Sequence, residues 1–141
     1  MASAARFDLA LPLLVFVGSG IGGVLRYGID ALVAGRTTSS FPWGILAINI
    51  SGSFAIGLLG SMIQRDDMRA LVLIGLLGGY TTFSAFSRDT VMLAQQGRWG
   101  LSATYALASV VLSVGACWAG MALSSSKETS CTEHTAPSTR R

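Results

Sequence analysis

The sequence predicts an all-α integral membrane protein with four transmembrane helices in each subunit. Three observations carry that expectation. Four apolar stretches each reach the roughly 20 residues that a helix needs to cross a bilayer. Charged residues make up only 12% of the 141-residue chain, about half the share expected of a soluble domain. Those charges gather in short segments between the apolar stretches, as they do in chains that cross a membrane several times.

The first span is predicted over about 9–34. Pro12 falls in its first turn, where a missing N–H does no harm. Arg6 followed by an apolar run has the look of a secretory leader. No small-x-small cleavage site closes it, however, and the apolar pattern continues past Gly20, so an uncleaved span is expected. Arg36-Thr37-Thr38-Ser39-Ser40 forms the first loop. The second span, about 42–63, starts at Pro42 with Trp43 at interface depth. Gln64-Arg65-Asp66-Asp67 is the second loop. The third span, about 68–95, is longer than a straight crossing requires. Gly97-Arg98-Trp99-Gly100 is the third loop, with Trp99 as a second interface anchor, and the fourth span covers about 101–123. From Ser124 the composition becomes polar and aperiodic, so the tail 124–141 is expected to be disordered.

Several function classes are excluded on composition. The pI near 9.3 does not point to nucleic acid, because no Lys/Arg cluster sits on a soluble element. Cys117 reads as a small packing residue of the fourth span and Cys131 as a free tail thiol, with no disulfide between them. His134 has no partner at metal-ligand spacing. No His, Cys or carboxylate constellation within the spans supplies a nucleophile with its base, so an enzyme is not expected.

Small residues recur at four-residue spacing: Gly18 and Gly22, Ser19 and Gly23, Ser53 and Gly57, Gly115 and Ala119. In lipid, helices associate through close backbone approach, which such pairs permit. Their presence on several helices suggests an oligomer. Orientation is weakly specified. Arg6, Arg65, Arg69 and Lys127 lie on the side of the termini, partly offset by Asp66 and Asp67, and Arg36 and Arg98 lie opposite. The bias favours a cytoplasmic N-terminus only slightly.

Polar residues inside spans need a partner or a wet cavity. Arg26 either snorkels toward the first loop or gives a vestibule a positive potential that draws anions. Asn49 either bonds another helix or offers its amide to an anion. Tyr105, Ser109 and Ser113 recur every four residues and share one face of the fourth span. Each serine could bond back to a carbonyl of its own helix, but three hydroxyls on one face read as a polar track.

The strongest signal is Gly78-Gly79-Tyr80-Thr81-Thr82-Phe83-Ser84-Ala85-Phe86-Ser87 in the third span. Paired glycines and paired threonines weaken a helix. The segment is either a kinked helix whose Thr and Ser bond back to the backbone, or a helix broken in mid-membrane. A break frees carbonyls, which lipid tolerates only if protein, water or an ion replaces the lost partners, and freed carbonyls at a half-helix end favour a cation. Phe83 and Phe86 share a helix face. They serve either as packing or as rings whose positive edges attract a small anion.

With these motifs the chain resembles the Fluc (CrcB) family of fluoride channels. The resemblance covers about 9–123 and rests on Gly22-Gly23-Val24-Leu25-Arg26-Tyr27, on Pro42-Trp43-Gly44 leading to Asn49, and above all on the run from Gly78 to Ser87. It implies an antiparallel, dual-topology homodimer with two pores for passive fluoride export across the cytoplasmic membrane. It also implies a structural sodium ion at the dimer axis, held by the backbone carbonyls of Gly78 and Thr81. Phe83 and Phe86 would line the pores with Asn49, and Tyr105, Ser109 and Ser113 would form the polar track. Arg26 would match the arginine of the first helix. Thr82 and Ser84 would add neutral hydroxyl donors, which suit a small, strongly hydrated anion that must be bound and released. Weak orientation bias fits insertion in both directions. Two departures stand out. Ile45 replaces a threonine common in the family, and Asp89, preceded by Arg88, stands where a glutamate is frequent.

Two other readings compete. A four-span multidrug transporter would use a membrane carboxylate of the first span, for which Asp30 is the candidate. A non-transporting assembly subunit would explain the small-residue faces but neither the third-span motif nor the hydroxyl stripe.

Overall fold

The computed structural model describes residues 9–133, with side chains as far as Ser126. Its elements are α1 (Ala10–Ala34), α2 (Trp43–Met62), α3 (Asp66–Met68), a π-helical stretch (Arg69–Leu77), α4 (Gly78–Tyr80), α5 (Phe83–Gln95) and α6 (Trp99–Glu133). Among the described residues there are four helical segments long and apolar enough to cross a membrane: α1, α2, the run Asp66–Gln95, and Trp99–Ser126 of α6. The chain is all-helical and fits a four-span membrane protein.

Most of the apolar surface faces outward. Phe16, Tyr27 and Trp118 are each more than 70% exposed. Water would penalise so continuous an apolar surface, whereas lipid tails do not.

The helices pair in a specific way. α1 lies on the π-helical stretch and on α4, while α2 lies mainly on α6. Both contacts are made at backbone distance. A Cβ at Gly22 would overlap the Leu76 carbonyl, and one at Gly57 would overlap the Cys117 carbonyl. Only a residue without Cβ allows these approaches. Of the small-residue pairs, Gly18, Gly22 and Gly57 are therefore used inside the protomer, whereas Gly23 and Gly115 face open space.

Local sequence sets the helix ends. Pro42 precedes α2 as its N-cap. The Arg69 guanidinium donates to the Gly60 and Ile63 carbonyls at 3.2 and 3.1 Å, closing the C-terminal end of α2. Gly97 adopts φ 75°, with Gly97 N–H on the Ala94 carbonyl and Arg98 N–H on the Leu93 carbonyl. This left-handed glycine turn ends α5 and reverses the chain into α6.

Two differences from the sequence reading have physical causes. The first half of the third span is π-helical over Arg69–Leu77. A wider helix of this kind cannot be read from apolar periodicity, and it coincides with the segment that α1 approaches most closely. The second difference concerns the end of the last helix. Helix continues through the polar run to Glu133 rather than ending near Leu123. Ser124, Ser125 and Ser126 donate to carbonyls of the preceding turn, at Met121, Met121 and Ala122, so their hydroxyls do not compete with the helix. Cys131 lies in this helix, although its side chain lies outside the described residues, as does the whole of His134.

Candidate functional site

The site is built around two residues between α4 and α5. Helix ends at Tyr80, Thr81 is extended (φ −77°, ψ 152°), Thr82 is extended (φ −150°, ψ 122°), and α5 begins at Phe83. Thr82 is the N-cap of α5: its hydroxyl accepts from the Ala85 amide at 3.2 Å and shares a hydrogen bond with Ser84 Oγ at 3.1 Å. Asn49 of α2 completes the arrangement. Its Oδ1 accepts from Thr82 N–H at 2.9 Å, and its Nδ2 donates to the Thr82 carbonyl at 3.1 Å. The amide orientation follows from these partners, since only oxygen can face an N–H and only nitrogen can face a carbonyl. One Nδ2–H remains.

This pairing has a consequence for the carbonyls before it. In a continuous helix the amides of Thr82 and Ala85 would close on the carbonyls of Gly78 and Thr81. Here Asn49 takes the first amide and the Thr82 hydroxyl takes the second. Gly78 and Thr81 therefore lose their helical donors. The neighbouring carbonyls are occupied: that of Leu77 accepts Thr81 N–H at 3.0 Å and Thr81 Oγ1 at 2.9 Å, and that of Gly79 accepts Arg26 Nε at 3.3 Å. Gly52 makes room for the turn, because a Cβ there would overlap the Thr81 methyl.

Beside the turn lies a groove of about 540 Å³. Asn49, Gly78, Thr81, Thr82, Phe83 and Phe86 line it together with Ser109 and Ser113 of α6. The Phe83 and Phe86 rings are 5.4 Å apart and tilted by 46°. Phe83 is 77% exposed. Phe86 packs on Tyr105 at 5.5 Å, and Tyr105 meets Phe41 edge to face at 5.5 Å.

The hydroxyl stripe behaves unlike several other helix hydroxyls among the described residues. Ser51, Ser87, Thr90 and Ser124 all donate to carbonyls of their own helix, and Ser102 donates across to Thr90. Tyr105, Ser109 and Ser113 do not. Among the described residues, their three oxygens are the buried side-chain polar atoms that close no hydrogen bond of normal length and angle, although the Tyr105 and Ser109 hydroxyls lie near each other. A buried hydroxyl left unpaired costs about 1–3 kcal/mol. Three of them on one helix face point to something polar that comes to them.

The family comparison follows the same residues. The family model described as CrcB-like protein, Camphor Resistance (CrcB), matches residues 13–121. The chain belongs to the CrcB family. A protein of Agrobacterium fabrum named fluoride-specific ion channel FluC is 48% identical over 115 residues, covering 78% of this chain and 92% of its own length. Another, from Nitrobacter hamburgensis and named fluoride-specific ion channel FluC 2, is 45% identical over 116 residues, covering 79% of this chain and 94% of its own. A third, from Rhizobium meliloti, also named fluoride-specific ion channel FluC, is 44% identical over 116 residues, covering 79% and 93%. The CrcB relatives are named as channels, not as enzymes.

Within the CrcB match, the structure brings Asn49, Gly78, Thr81, Thr82, Phe83, Phe86, Ser109 and Ser113 to one groove. Tyr105 sits behind Phe86 rather than on the groove wall, and Ser84 touches Thr82 without lining the groove. Arg26 is also absent from that wall, its Nε being held at the Gly79 carbonyl. Sequence reasoning missed five members of the lining, three of them the aliphatic Ile56, Val110 and Val114. Cys117 lines the groove, and its position four residues beyond Ser113 was the available signal. Ser53 lines it too, but its spacing suggested only helix packing. Asp30, the carboxylate that a transporter would use, packs its side chain against Gly44 at the start of α2. There it faces the positive end of a helix.

Proposed function

We propose that the chain is a fluoride-selective passive channel that exports fluoride across the cytoplasmic membrane. The observation that carries this reading is the groove lined by Ser109 and Ser113, whose buried hydroxyls close no hydrogen bond among the described residues, together with Asn49 and the Phe83–Phe86 pair. The names of the CrcB relatives support fluoride as the ion.

The chemistry is suited to a small, strongly hydrated anion. Neutral donors replace part of its water: the remaining Asn49 N–H, the two serine hydroxyls and, beyond Phe86, the Tyr105 hydroxyl. Ring edges of Phe83 and Phe86 add a weak positive field. Among the described residues no cationic side chain lines the groove, so the anion is held loosely enough to leave. Arg26 adds positive potential from its place at the Gly79 carbonyl.

The groove is open on one side in a single protomer, and a second copy would close it. The proposed assembly is an antiparallel, dual-topology homodimer with two pores, its third helices broken in mid-membrane at Thr81 and Thr82. The carbonyls of Gly78 and Thr81 are hard oxygen ligands without their helical amides. They would hold a sodium ion at the axis of such a dimer, where the ion would neutralise two half-helix ends and staple the subunits together.

Purified protein in liposomes tests the proposal. Fluoride is expected to leave rapidly while chloride is retained. Equal leakage of both ions would refute selectivity, and no leakage of either would refute conduction.

A further inference from the structure

A second cavity has a charge pattern that the groove does not explain. It measures about 390 Å³ and is lined by Asp30, Arg88 and Asp89 among polar residues of the first loop. Phe41 belongs to its wall and contacts Tyr105, which in turn contacts Phe86 of the groove. The cavity and the groove are thus the two ends of one line of aromatic rings.

Two carboxylates at the mouth of an anion path would repel the ion. In this cavity each has a counter-charge. Asp30 lies against the first turn of α2, at the positive end of that helix. Asp89 Oδ1 accepts from Nε and Nη2 of Arg88 at 3.2 and 3.0 Å. The Asp89 side chain is 12% exposed and that of Arg88 70%. The carboxylate is therefore the more buried partner, and the guanidinium is the exposed one at the cavity wall. An exposed arginine bonded to its own chain neighbour does little to hold the fold. Its consequence is electrostatic: it cancels the charge of Asp89 where an anion would enter.

We infer that the cavity is an entry chamber for the anion and that Arg88, by neutralising Asp89, is the residue that makes this chamber passable. The inference rests on the channel reading above and assigns the mouth charge within it.

The test is fluoride efflux from liposomes at two ionic strengths, about 10 mM and about 1 M, where charge interactions reach roughly 30 Å and 3 Å respectively. At low salt, Arg88→Gln is expected to slow efflux about two- to fivefold, the effect of one uncompensated charge several ångström from a watery path. Arg88→Lys, which keeps the charge, restores most of the rate. Asp89→Asn, which leaves Arg88 unopposed, speeds efflux. The double variant Arg88→Gln/Asp89→Asn, with the net mouth charge of the parent, returns close to the parental rate. At high salt the four variants converge on it. An Arg88→Gln rate equal to the parent at low salt would overturn the assignment. So would an Asp89→Asn rate no faster than the parent, or a double variant as slow as Arg88→Gln. A parent protein that passes no fluoride at either salt would overturn the channel reading itself.

Discussion

Asn49 and Thr82 pair as neighbouring β-strands do, the side-chain amide of one meeting both the N–H and the C=O of the other at 2.9 and 3.1 Å. One side chain thereby satisfies the backbone of an extended residue between two helices and still faces the groove. Asn49→Ala should leave both Thr82 groups unpaired and cost about 2 kcal/mol or more, read as a lower unfolding midpoint in detergent. Asn49→Asp can still accept from Thr82 N–H, but it sets a negative charge against the Thr82 carbonyl and the anion. Fluoride efflux should fall at least about tenfold, since one charge at contact distance away from bulk water exceeds the 1.4 kcal/mol that a decade requires.

The hydroxyl stripe separates a structural role from a conducting one. If Ser109 were there for packing, Ser109→Ala would cost stability. Because its oxygen closes no well-formed hydrogen bond among the described residues, the variant should instead be as stable as the parent or slightly more so. Efflux should fall in the same protein. Tyr105→Phe should behave alike, since the ring contacts with Phe41 and Phe86 survive the loss of the hydroxyl. Unchanged efflux in both variants would remove the stripe from the ion path.

Phe83 offers a cleaner probe of the ring edge than Phe86. It is 77% exposed, so Phe83→Ile should shift protomer stability by no more than about 0.5 kcal/mol. Efflux should nevertheless drop, because an aliphatic side chain has no positive edge. Parental efflux in this variant would mean that the ring serves only as surface.

A cation held by the Gly78 and Thr81 carbonyls, as proposed, would make stability depend on the salt. Exchanging sodium for a bulky organic cation should lower the unfolding midpoint. A site saturated a hundredfold above its Kd contributes about 2.7 kcal/mol. Crystals grown with a heavier monovalent cation should show anomalous signal beside these carbonyls, and a midpoint indifferent to the cation would exclude the site.

Much of the fold was legible because it depends on local length and register. Four apolar runs of spanning length determined the four helices, and the four-residue spacing of Tyr105, Ser109 and Ser113 determined that they share a face. The turn chemistry was legible in part. The loop read at Gly97 is where the one positive φ among the described residues falls, whereas the capping of α5 by the Thr82 hydroxyl was not foreseen.

Hydrogen-bond partnership between helices was not legible. Asn49 could have bonded any neighbour, and its partner lies 33 residues away. Arg26 could have turned toward the first loop or a vestibule, and its Nε donates to the Gly79 carbonyl, 53 residues away. The pairing of α2 with α6 and of α1 with the third span decided these outcomes, through glycines that let backbones touch. The sequence alone determined how many times the chain can cross and which residues each face presents, because hydrophobic length and helical period are properties of a single segment. Only the tertiary structure decided which polar group each orphaned backbone atom meets, because in a low-dielectric interior that depends on which helices approach to within a hydrogen bond of one another.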